Sequence, residues 1–320
     1  MHTLNSKVRA ISVMGSLLFS ANTAFAHGGK PHNWNDLWRT WTFEPVVVIS
    51  LALTAFLFIA GLRKLWLESG TNRGIRRWEA TMFAGGWLAL FVALISPLHS
   101  WGRVLFSAHM TQHEVLMLVA APLLVLGRPL IAFMWAIPMS WARQLGAITR
   151  LSWFAATWRV ITVPLFAWLI HAIALWVWHI PMLFDAVLNN ELIHSLQHIS
   201  FLFSAILFWW ALVHGGRGWM GYGAALLYVF TTSLHSGLLG AFLTFSSTVW
   251  YPGYNSLTRS WGLTPLEDQQ LGGLIMWIPA GLVYVIAGLA LLAGWIQQSE
   301  RSAHSRDYGT YRTYRTYTIN

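Results

Sequence analysis

The stretch Ala108-His109-Met110-Thr111-Gln112-His113-Glu114 opens an apolar run that continues to Gly127. His109 and His113 are four residues apart, so on a helix they stand one turn above the other on one face. Met117 continues that face at the next step of four. The pattern returns as His194-Ser195-Leu196-Gln197-His198, again at the head of an apolar run. Imidazoles inside hydrophobic spans are costly to keep without partners. The run after His113 therefore reads as a membrane helix with a polar outer end, and the rest of the chain as the bundle that holds it.

The bulk composition agrees. The 320 residues are 56% hydrophobic and only 10% charged, with 21 Trp. That belongs to a polytopic membrane protein lying in a lipid bilayer, not to a soluble enzyme. A net charge of +9 would point a soluble protein toward nucleic acid. Here Lys and Arg collect in alternate loops, so no nucleic-acid partner is inferred. The chain has no Cys, which excludes disulfides, iron–sulfur clusters and thiolate metal sites and leaves His and Met as the softer ligands.

Residues 1–26 have the form of a cleavable signal peptide. Lys7 and Arg9 precede a short apolar core, and Ala24-Phe25-Ala26 supplies the cleavage site. An uncleaved first span is the competing reading. Cleavage would expose His27, which with His32 and the terminal amine forms a possible N-terminal Cu(II) site, or else a solvated segment over 27–44. Seven apolar runs follow near 45–62, 80–97, 106–127, 160–180, 192–213, 222–246 and 269–296, each long enough to cross a bilayer. The expected fold is an all-α, seven-span helix bundle forming one membrane domain over 45–297. The apolar segment 130–137 is too short to span and reads as interfacial or re-entrant.

Basic residues crowd 63–79, 128–159, Arg217 and the tail 298–320, whereas the other side carries only Lys30, Arg39, Arg103 and Arg259. The positive-inside bias puts the N-terminus outside, the C-terminus inside and the protein in a bacterial inner membrane. The Tyr-Arg repeat at 310–317 reads as a disordered basic tail. In that topology His109, His113, His194, His198, His179 and Asp268 lie in the outer half, toward the periplasm. His171 and His235 lie near mid-membrane, and the inner half is nearly free of ionisable groups. A one-sided cluster reads as a pocket opening to the periplasm rather than as a conduction path. Neutral imidazoles bind copper, zinc and haem iron. The metal ligands expected are His109, His113, His194 and His198. Met117, His179, His171, His235 and Asp268 are further candidates, with Gln112, Gln197 and Glu114 placed to orient rings. A lone intramembrane His is as often an interhelical contact, and that alternative stays open for His171 and His235.

Five stretches, taken in order, resemble the polytopic CtaG family of cytochrome c oxidase assembly factors. They are His109-Met110-Thr111-Gln112-His113 with Ala121 to Leu124, Trp178-His179-Ile180-Pro181, His194 to His198, His235-Ser236-Gly237, and Asp268-Gln269-Gln270-Leu271-Gly272-Gly273. The resemblance covers roughly 45–296. It implies a seven-span, non-catalytic factor that supports a haem–copper oxidase, plausibly by handling copper received from a periplasmic donor. Three rival readings of the residues remain: a b-type haem held by His113 and His198, a copper transporter, and a structural chaperone that holds oxidase subunits with its histidines serving only as interhelical contacts.

Overall fold

The structure, a computed structural model, describes residues 39–215, 220–256 and 258–317, with side chains described as far as Arg301. The expected signal peptide and the His27/His32 pair lie outside the described residues. The described residues are helical, joined by turns and two short 3₁₀ segments. Six helices are long and apolar enough to cross a membrane. A seventh span results if Ser152–Ile161 and Pro164–Trp178, bent by 71° at their junction, are taken as one. The chain is a multi-pass membrane protein.

Helix α1 (Pro45–Ser69) and α2 (Arg77–Ile95) lead to a single turn and a half, α3 (Pro97–Gly102). The third span is composite: α4 (Phe106–Glu114), a π-helical stretch (Val115–Ala120) and α5 (Ala121–Gly127). A π turn inserts one extra residue per turn and frees a carbonyl. Trp209 Nε1 donates to Met117 O at 2.9 Å within this stretch. The α-helical spacing from His113 to Met117 is broken there, and the Met117 side chain is buried in the main apolar core.

Helix α6 (Pro129–Ala136) carries the short apolar segment. It packs beside the first span instead of crossing. A Cβ on Gly61 would lie 1.8 Å from the Ala132 carbonyl oxygen, so glycine is what lets the two backbones touch. Helices α7 (Met139–Ile148) and α8 (Ser152–Ile161) have no buried residues. Then come α9 (Pro164–Trp178), α10 (Pro181–Asn189), α11 (Glu191–Gly215), α12 (Tyr222–Thr244) and α13 (Pro265–Tyr317). The basic Tyr-Arg repeat, expected to be disordered, continues α13 as helical backbone to Tyr317. The main core lies among α4, α9, α11, α12 and α13, around Phe106, Phe201, Phe208 and Leu243. A smaller core of Phe58, Leu65, Phe83 and Ala132 joins α1, α2 and α6.

Candidate metal centre

The start of α4 is fixed from far away in sequence. The first amides of any helix lack intrahelical acceptors. Asp268, in the first turn of α13, supplies them. Its carboxylate accepts from Phe106 N at 2.6 Å, Ser107 N at 3.1 Å and Ser107 Oγ at 2.5 Å. Asp268 is fully buried, and the hydrogen bonds it makes go to the helix start, not to an imidazole.

With α4 so placed, its two histidines meet those of α11. Ring centroids lie 4.3 Å apart for His109 and His113 and 4.3 Å for His194 and His198. Between helices, His109 lies 5.3 Å from His194 and 6.0 Å from His198, and His113 lies 5.4 Å from His198. All four are buried. One ligand nitrogen each from His109, His194 and His198 falls within 4.8 Å of the others.

Two further histidines border the group. His179 ends α9 and is buried. Its Nδ1 is 2.6 Å from Leu175 O. A carbonyl only accepts, so Nδ1 carries the proton and the lone pair is on Nε2. His99, on α3, stacks on His194 at 5.3 Å and lies 6.1 Å from His198. His99 has no partner at helical spacing, so periodicity gives no sign that it joins the cluster.

The surroundings orient these rings. His109 Nδ1 faces Gly102 O at 3.2 Å and Tyr254 Oη at 3.3 Å, and its Nε2 faces the Gln197 side-chain amide at 3.2 Å. Gln112 Nε2 donates to Ala93 O at 2.7 Å and meets His99 Nδ1 at 3.0 Å. Gly102 permits this closeness: a Cβ there would lie 3.3 Å from His109 Cα. The loop between α12 and α13 closes over the group. Tyr254 Oη donates to Gly102 O at 2.8 Å and Tyr251 Oη to His179 O at 2.9 Å. Burial raises both phenol pKa values, so the hydroxyls remain donors. Tyr251 stacks on Phe106 at 4.8 Å and meets Phe184 at 4.4 Å, an aromatic layer between loop and rings. Neither tyrosine belongs to a motif that the sequence singles out.

What remains is a set of buried nitrogens without hydrogen-bond partners. His113 has both, and His179, His194 and His198 each have Nε2. Buried polar atoms are nearly always paired, because leaving one unpaired costs about 1–3 kcal/mol. Several unpaired lone pairs within a few ångströms fit a cation, which pairs them all at once.

The other proposed residues stand elsewhere. His171 Nδ1 is paired with Ser204 Oγ at 3.1 Å. Trp176 Nε1 donates to His235 Nδ1 at 3.4 Å, and Trp168 meets the His235 ring edge-on at 5.3 Å. Glu114 is buried, with Oε2 unpartnered, one residue past the end of the His109/His113 face.

The sequence profile of the family described as "Cytochrome c oxidase caa3 assembly factor (Caa3_CtaG)" matches residues 56–298. Among curated proteins, the chain is 28% identical over 278 residues to one described as "Uncharacterized protein Mb0105" of Mycobacterium bovis. It is 24% identical over 288 residues to "Uncharacterized protein ML1998" of Mycobacterium leprae. These alignments cover 83% and 87% of this chain but only 41% and 43% of the relatives. The chain thus spans about two fifths of the length of the curated relatives it matches. No solved structure matches it.

Proposed function

The chain belongs to the cytochrome c oxidase caa3 assembly factor family, and from that premise we propose that it carries copper for a haem–copper oxidase in a buried, all-imidazole site. His109, His194 and His198 hold the ion, with His113 and His179 beside them. The single observation behind this reading is the convergence of imidazole nitrogens from two spans, those of His113, His194 and His198 including atoms without hydrogen-bond partners. Copper is favoured on chemical grounds. The chain has no Cys, and among divalent first-row metals an imidazole set binds copper most tightly. The bias of basic loops toward the opposite end supports a site on the periplasmic side, where a copper donor would reach it. The protein acts by holding and delivering the ion, not by catalysis.

A b-type haem between His113 and His198 is the weaker reading. Their centroids are 5.4 Å apart, and the His109 and His194 rings pack against the same space, which crowds out the macrocycle that two axial rings would flank. A transporter needs polar groups along the rest of the path, and the apolar inner half speaks against it.

Metal analysis of the purified full-length protein tests the proposal. Wild-type protein grown with copper should retain near-stoichiometric copper and show no Soret band. His109→Ala and His198→Ala should lose most of it, and His171→Ala should keep it. Unchanged copper in both cluster variants overturns the ligand assignment, and a strong Soret band restores the haem reading.

A further inference from the structure

Beside the buried cluster is a second group of ligand atoms that reaches the surface. His99, Glu191 and His194 each offer one ligand atom, all within 4.8 Å of one another. His194 belongs to both groups. Its Nδ1 lies 3.8 Å from Glu191 Oε1, while its Nε2 is buried and unpartnered. His99 is only 4% exposed, and its Nε2 has no hydrogen-bond partner; the nearest carboxylate oxygen, Glu44 Oε1, is 3.6 Å away. The Glu191 side chain, by contrast, is half exposed.

The position of this group is that of a mouth. Glu44 immediately precedes α1, Arg103 follows α3 and Glu191 begins α11, so all three stand at span ends on the histidine side of the bundle. Arg103 holds both carboxylates: its Nη2 is 2.5 Å from Glu191 Oε2 and 3.8 Å from Glu44 Oε1. A guanidinium there occupies the charge that a cation would neutralise. A free ion arriving from water meets the exposed carboxylate first, and the shared His194 connects that position to the buried one.

We infer that His99, Glu191 and His194 form an outer loading position for the metal cation, closed by Arg103 and connected through His194 to the buried imidazoles. The inference rests on the buried site binding copper. The ion moves by ligand exchange with no change of oxidation state. Glu191 and His99 release it as His109 and His198 take it, and Arg103 returns to Glu191. The mixed oxygen–nitrogen donor set binds more weakly than the imidazole set that follows it, so transfer runs inward.

Stopped-flow transfer of Cu(II) from a chromophoric chelator to the full-length protein, with equilibrium titration alongside, is the test. Glu191→Gln and His99→Ala should slow uptake about tenfold or more, the size of effect seen when groups around a metal site are removed. Both should reach wild-type stoichiometry and affinity at equilibrium. Arg103→Ala should take up the ion faster than wild type. Thermal unfolding in detergent checks that each variant is folded. Wild-type rates in folded Glu191→Gln and His99→Ala overturn the loading role while leaving the buried site standing. Loss of equilibrium binding in Glu191→Gln also overturns it, by making Glu191 part of the resident site. A wild-type protein that takes up no copper removes both proposals.

Discussion

The two ends of the bundle treat buried polar groups differently. At the start of α2, Glu79 is 5% exposed and has its partners: Arg76 N donates to Oε2 at 2.7 Å, and Arg128 Nη1 reaches Oε1 at 3.3 Å. A hydrogen bond to the N-cap amide and an ion pair account for both oxygens. At the other end Asp268 is equally well served, yet the imidazoles beside it keep nitrogens with no partner. Unpartnered buried atoms occur elsewhere too, at Trp168 Nε1, Asp185 Oδ1 and His235 Nε2 among others, but in the imidazole group several ring nitrogens lie together. A concentration of unpartnered imidazole nitrogens is a sign of a ligand, whereas burial alone is not.

That contrast can be broken or sharpened by substitution. Asp268→Ala should have the largest effect. It strands the amides of Phe106 and Ser107, and loss of a cap plus unsatisfied buried donors costs about 3 kcal/mol. Thermal unfolding in detergent should fall sharply and copper content with it. Gly61→Ala tests the opposite region. Forcing a methyl against the Ala132 carbonyl costs about 2 kcal/mol of overpacking, and the folded fraction should retain its copper. If copper falls in proportion to stability there too, the ends are not separable. Tyr254→Phe removes one hydroxyl from Gly102 and His109. It should cost about 1 kcal/mol in stability and reduce copper affinity severalfold in a chelator competition. Glu79→Gln should be mildest. The amide oxygen still accepts from Arg76, the pair with half-exposed Arg128 is screened, and the loss should stay below about 1 kcal/mol with copper affinity unchanged.

Much of this arrangement was legible in the sequence, because it is local. Span lengths follow from runs of apolar residues, and the two His-x-x-Gln-His faces follow from helical spacing. What the sequence hid is long-range or non-helical. Asp268 looked like a metal or ring partner, but 161 residues separate it from the Ser107 hydroxyl it holds. Met117 looked like the next rung of the His109 face until the π turn moved the register. His99, Tyr251 and Tyr254 join the group only because α3 and the loop between α12 and α13 fold over it, and no periodicity encodes that. Segment 130–137 was correctly read as too short to cross, while its contact with α1 depends on one glycine.

The pairing of donors from separate spans has a mechanical consequence. Neither α4 nor α11 alone offers three converging nitrogens, so any ion seated among them ties two helices together. Linkage makes that tie reciprocal: whatever shifts one helix against the other weakens the grip, and an emptied grip frees the helices to shift. A rise of about 1.5 Å per residue sets the scale. A slide of a single residue would pull the rings out of register, so a docking protein that leans on either span has a means of letting the cargo go.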